Sequence, residues 1–154
     1  MNSSIHHFYF ASGVGRDKYK LVSFDNALIN AGFSEYNLVR VSSILPANCL
    51  QSQKIELTKG SPLLVAYGSL SSNEVNRILS SAICVAIPQV ADEIGIIMEF
   101  SDYCDKHTAE TRVCEMAEKA MRNHDIAIKQ ILCSSIDAHT MNDFTTVFSG
   151  LAMW

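Results

Sequence analysis

Ser-Ser occurs five times in the 154-residue chain, at Ser3-Ser4, Ser42-Ser43, Ser71-Ser72, Ser80-Ser81 and Ser134-Ser135, so the dipeptide alone carries little information. Context separates one pair from the rest. Ser42-Ser43 ends the run Tyr36-Asn37-Leu38-Val39-Arg40-Val41 and is followed by Ile44-Leu45-Pro46, where an apolar strand meets a proline turn and the backbone could be held under strain. A serine hydroxyl beside a strained peptide bond is a candidate nucleophile.

Two acids are placed where carboxylates need a reason to be. In Ile94-Gly95-Ile96-Ile97-Met98-Glu99-Phe100, strand alternation puts Glu99 on the face shared with Gly95 and Ile97, opposite Ile94, Ile96, Met98 and Phe100. Burial on that face would raise its pKa and leave it able to hold a proton near neutral pH, as a general acid must. The other reading is a glutamate at a strand edge reaching water. Asp25 falls between Leu21 and Ile29 at helical spacing, and an acid on an apolar stripe wants a cationic partner, either a ligand or one of Arg16 and Arg40.

The remaining reactive side chains form no such pattern. His6, His7, His107, His124 and His139 lack metal-ligand spacing apart from the adjacent first two, and all are read as non-catalytic with no metal site. Five cysteines, Cys49, Cys84, Cys104, Cys114 and Cys133, are odd in number and widely spaced, which reads as buried free thiols in a reducing compartment.

These residues must be positioned by one domain, because 154 residues, 48% of them apolar, suit a single core and no linker or repeat divides them. A net charge of −4 gives no basic field for nucleic acid. Met1 to Phe10 shows no leader pattern and no apolar run approaches a membrane span, so the expected location is cytoplasmic. His7 to Ala11 reads as a strand entering a turn at Ser12-Gly13-Val14-Gly15, with Asp17 capping a helix over Lys18 to Ala31 that Gly32 terminates. Asn37 to Ile44, Leu63 to Tyr67, Ile83 to Ile87, Ile94 to Phe100, Ile126 to Ile136 and Phe144 to Met153 read as strands. A short helix is expected around Asn73 to Leu79, and a long amphipathic one over Thr108 to Arg122.

The run from Ser12-Gly13-Val14-Gly15 through Phe24-Asp25-Asn26-Ala27-Leu28 and Ala31-Gly32 to Tyr36-Asn37-Leu38 and Val41-Ser42-Ser43-Ile44-Leu45-Pro46 resembles the pyruvoyl-dependent arginine decarboxylases. The likeness is most specific over residues 8 to 49 and extends more loosely through Glu99 to the last strands. Two departures stand out: Ala47-Asn48-Cys49 replaces a turn richer in proline and glycine, and the chain is short for the family.

The resemblance implies an α+β fold, a four-layer αββα sandwich of the pyruvoyl-dependent histidine/arginine decarboxylase type. It implies self-cleavage between Ser42 and Ser43, dividing the single domain 1–154 into a β chain, 1–42, and an α chain, 43–154, that begins with a covalent pyruvoyl group made from Ser43. Ser43 Oγ would attack the preceding carbonyl, the amide would become an ester through an oxyanion, and elimination would release the upstream carboxylate. Asn37 matches the asparagine that assists processing. Ser43 and Glu99 then match the catalytic positions, with Asp25 and Ser42 binding the substrate arginine. Agmatine and carbon dioxide are the implied products, and the implied assembly is a homotrimer, with no nucleic acid or membrane partner. The competing readings are a pyruvoyl enzyme for another amino acid such as histidine, separated by substrate competition, and a non-catalytic ligand-binding or assembly module, separated by intact mass.

Overall fold

A computed structural model describes residues 5–154, so Ser3-Ser4 lies outside the described residues. Among these residues nine strands and two helices alternate irregularly: β1 (His7–Asp17), α1 (Lys20–Ala31), β2 (Asn37–Arg40), β3 (Ile44–Leu45), β4 (Leu50–Gln51), β5 (Pro62–Ser72), β6 (Ile78–Pro88), β7 (Gly95–Asp102), α2 (Lys106–Asn123), β8 (Ile128–His139) and β9 (Phe144–Met153). One sheet has the order β2-β5-β9-β1-β4 and the other β3-β7-β6-β8.

Period-two alternation sorts the side chains of each sheet into two cores. On β6 the larger Ile83 and Val85 point between the sheets, where they meet Phe8, Ala66, Ile97, Leu151 and Met153. The smaller Ala82, Cys84 and Ala86 point the other way, onto Ala109, Val113, Ala117 and Met121 of α2. On β9, Phe148 and Ala152 face Ala27, Leu28, Ala31 and Phe33 at α1 and its end. The layers are therefore α1, sheet, sheet, α2, which is the expected αββα sandwich. No helix among the described residues is long and apolar enough to cross a membrane.

The glycine-rich stretch is strand, not turn. β1 runs unbroken through Gly13 and Gly15 and pairs with β9 from Phe8↔Met153 to Asp17↔Phe144. What these glycines provide is space. A Cβ on Gly13 would collide with the carbonyl of Ala27, and one on Gly15 with the Ser23 carbonyl and the Ala27 amide, so α1 lies directly on the backbone of β1. Gly15→Ala should therefore destabilise the fold by about 3 kcal/mol or more, because the obstacle is backbone that cannot change rotamer. A urea midpoint equal to that of wild type would contradict so close an approach.

Other elements differ from their sequence reading for equally local reasons. Asp17 accepts from the Tyr19 amide at 2.8 Å, but Tyr19 is the cap residue and α1 starts at Lys20. Gly32 does close α1, with φ 85°. No helix forms over residues 73–77; the segment turns through Asn76 at φ 61° and carries the chain from β5 in one sheet to β6 in the other. The long second helix extends to Lys106–Asn123, with Asp105 accepting from the Thr108 amide at 2.7 Å. All five cysteines are free, but only Cys84 is buried, where loss of solvent pushes its thiol up to about 12.

Candidate active site

The run expected to be one strand from Asn37 to Ile44 is divided between the two sheets. Asn37–Arg40 pairs in parallel with β5, and the Val41 amide still donates to the Val65 carbonyl at 3.1 Å. Ile44–Leu45 pairs antiparallel with Ile96 and Gly95 of β7, and the Ser43 carbonyl accepts from the Ile97 amide at 2.7 Å. The Ser42–Ser43 peptide bond thus lies in the short link between an anchor on one sheet and an anchor on the other. Neither serine has the left-handed φ that would mark backbone strain; the bond is set instead by being held at both ends.

Beside this link is a cavity of about 280 Å³ whose walls include Val41, Ser42, Ser43, Ala66, Glu99 and Met116. Ser42, Ser43 and Glu99, picked from distant parts of the sequence, meet here. Glu99 follows Ile97 on the face of β7 turned towards the opposite sheet, while Ile96, Met98 and Phe100 pack towards α2. Gly68 on β5 makes room: a Cβ there would lie 2.8 Å from Ser101 Oγ and 3.6 Å from Glu99 Cβ.

Glu99 is not alone in this space. Arg40 Nη2 donates to Glu99 Oε1 at 2.8 Å and to the Tyr67 carbonyl at 2.7 Å, with its guanidinium carbon 4.5 Å from the Tyr67 ring centroid. Burial raises the Glu99 carboxyl above its ordinary value, and the Arg40 charge and hydrogen bond offset part of that rise. Sequence reading considered Arg40 only as a partner for Asp25. The available signal was its place two residues before Ser42, since alternate residues of an extended chain share a face.

Glu99 also borders a second space of about 320 Å³, walled by Arg40, Tyr67, Gly68 and Ser69. Beyond Arg40 lies a further hollow of about 430 Å³ bounded by Lys20, Leu21 and Phe24 of α1. Asp25 is one residue past Phe24 but lines none of these spaces. The stripe on which it sits is solvent-exposed, with Leu21 79% and Ile29 55% accessible, so the expectation of a carboxylate buried among apolar neighbours does not hold. Asp25 makes no hydrogen bond or ion pair among the described residues, and neither Arg16 nor Arg40 is its partner.

Asn37 begins β2, exposed, with its side-chain amide donating to the Gly60 carbonyl at 2.8 Å. The structure does not bring it into the cavity with Ser42 and Ser43.

Comparison with known proteins identifies the family of the chain. Residues 7–154 match the family model for pyruvoyl-dependent arginine decarboxylase. A protein of that name from Methanocaldococcus jannaschii is 32% identical over 164 residues, spanning 100% of this chain and 99% of the relative. Its namesake from Thermococcus kodakarensis is 38% identical over 104 residues, 67% of this chain and 66% of the relative. That from Picrophilus torridus is 40% identical over 99 residues, 62% and 54% of the two chains. A match across nearly the whole fold, together with relatives aligned end to end, shows that the chain belongs to the pyruvoyl-dependent arginine decarboxylase family.

Proposed function

We propose that this protein cuts itself between Ser42 and Ser43 and uses the pyruvoyl group formed from Ser43 to decarboxylate L-arginine to agmatine. The observation that carries the proposal is the cavity shared by Ser42, Ser43 and Glu99 in a chain of this family.

The residues around Ser43 fit such a group. The Ser43 carbonyl is already held by the Ile97 amide at 2.7 Å, and the partly buried residue lines the cavity together with Val41, Ala66 and Met116. When bound, the group supplies an electrophilic carbonyl for the substrate amine and a sink for the electron pair left by carbon dioxide. Glu99 holds the proton delivered to the substrate α-carbon, and its half-buried position supports that role by raising the carboxyl above its ordinary value against the opposing pull of Arg40. Val41, Ala66 and Met116 exclude water, and Ser42 contacts substrate from the same wall.

Asn37 stands five residues before Ser42, up to about 16 Å along an extended chain. It would serve the cleavage oxyanion by giving up the Gly60 carbonyl or by acting on a neighbouring copy. A homotrimer is supported by the exposed apolar stripe of Leu21, Val22 and Ile29 on α1, which a second copy would cover. We place the enzyme in the cytoplasm, a reading that its free and partly accessible thiols fit.

The unpartnered carboxylate of Asp25 is the group we assign to the substrate guanidinium, which matches its two oxygens. Purified protein should release agmatine and carbon dioxide from arginine. In Asp25→Asn, kcat/KM for arginine should fall about ten- to a hundred-fold, the equivalent of roughly 1.5 to 3 kcal/mol of charge-assisted hydrogen bonding. Citrulline, with a neutral urea in place of the guanidinium, should be a poor substrate that loses less. Equal losses for the two would remove Asp25 from substrate recognition, and no agmatine from fully cleaved wild type would overturn the proposed activity.

A further inference from the structure

The Arg40–Glu99 pair presents a difficulty for a simple proton donor: a carboxyl group bound to a guanidinium at 2.8 Å is favoured as the carboxylate, yet the α-carbon needs a proton. Resting on the decarboxylase reading above, we infer that Arg40 is a positioning residue that keeps Glu99 charged until substrate arrives, so that Glu99 acts first as base and then as acid. The incoming α-amine is an ammonium near neutral pH and has no lone pair with which to attack a carbonyl. Glu99 takes one proton from it: the N–H bond breaks, an O–H bond forms, and the amine is freed. Once carbon dioxide has left, that proton passes from the carboxyl oxygen to the α-carbon, where it joins the electron pair of the broken C–C bond. Glu99 is again a carboxylate facing Arg40. Agmatine leaves as an ammonium, and the proton consumed in the whole cycle comes from solvent.

The geometry supports a fixed cation. Arg40 donates to the Tyr67 carbonyl and lies over the Tyr67 ring while it pairs with Glu99, so three contacts hold its guanidinium although the side chain is 57% exposed. The spaces that Glu99 borders are lined by Ser43 from the inter-sheet link, Gly68 on β5, Ser101 on its own strand and Met116 from α2, and Ile83 lies opposite Glu99 on β6. Among the described residues lining those spaces, Arg40 is the only charged side chain besides Glu99 itself. Arg40 also precedes the cut and Glu99 follows it, so the pair joins the two products of cleavage.

The test follows the Glu99 carboxyl directly, by 13C NMR of cleaved, glutamate-labelled protein without substrate, the signal being identified by its loss in Glu99→Gln. In Arg40→Met the Glu99 midpoint should rise by about one pH unit or more, as burial goes unopposed. Arg40→Gln, which retains a donor for the Tyr67 carbonyl, should show the same rise if Arg40→Met fails to fold, and Arg40→Lys should restore most of the wild-type value. The acid limb of kcat/KM against pH for arginine should move in the same order, since protonated Glu99 cannot accept the ammonium proton. A midpoint unchanged or lowered in both neutral variants would mean that Arg40 only ties β2 to β7, and a limb that stays put while the midpoint rises would overturn the base step. A midpoint that rises as expected in protein whose wild type forms no agmatine would overturn the decarboxylase reading, not the Arg40 coupling.

Discussion

Ser43→Ala is expected to remain one uncut 154-residue chain and to form no agmatine, the largest effect of any substitution in this protein. In the proposed cleavage the hydroxyl would be needed twice. Ser43 Oγ would attack the Ser42 carbonyl carbon, and as the C–N bond broke the acyl group would move to oxygen and the Ser43 nitrogen would become an amine. Loss of the Ser43 α-proton would then break the Cβ–O bond and release residues 1–42 with a new carboxylate. Water would finally replace the nitrogen, lost as ammonia, to leave the ketone. Alanine can begin none of these steps. Because Ser43 is held by its backbone carbonyl, its replacement should leave the fold and its melting temperature close to wild type. Denaturing intact-mass spectra decide the matter: wild type should give chains 1–42 and 43–154, the second altered by borohydride, and Ser43→Ala a single species. A cut Ser43→Ala chain, or a wild type that stays whole after long incubation, would place the chemistry elsewhere.

Glu99→Gln should cleave normally and yet turn arginine over roughly 10²-fold or more slowly, because the amide keeps the shape of the side chain and cannot deliver a proton. The effect should fall mainly on kcat. Loss of the carboxylate also leaves Arg40 with only the Tyr67 carbonyl and ring, so a modest loss of stability would accompany the kinetic defect without explaining it. Comparing kcat at equal extents of cleavage separates the two. Wild-type turnover by fully cleaved Glu99→Gln would move the proton donor to another group.

Much of this arrangement was legible in the chain because it depends on local periodicity. Alternation along β7 was enough to pair Glu99 with Ile97 against Met98 and Phe100, and the amphipathic pattern of α2 marked its buried side. Periodicity states which residues share a face but not which face meets the core. Leu21, Asp25 and Ile29 do share one, and it looks outward because Ser23, Ala27 and Ala31, smaller and less apolar, fit against the glycines of β1. Glycine was ambiguous for the same reason: Gly13 and Gly15 serve close packing, a use that a turn mimics in one dimension. The division of Asn37–Leu45 between sheets was hidden because β2 and β3 are both extended, and only their partners, β5 and β7, reveal the change. Arg40 and Glu99 are 59 positions apart, beyond the reach of any local pattern.

The position of β1 between β9 and β4, inside its sheet, has a thermodynamic consequence. A cut after Ser42 would turn one covalent chain into a heterodimer whose smaller member supplies an interior strand, bonded to β9 along its length and covered by α1. Separation would take β1, α1 and the edge strand β2 away and expose β9 along one edge and on the face beneath α1, so the fragments would part only by unfolding together. Folding of the mature protein would then be bimolecular, with a translational entropy penalty that the precursor never meets. Reassembly after denaturation would therefore be harder than the first folding, and the uncut chain would be the form in which the architecture is most readily reached.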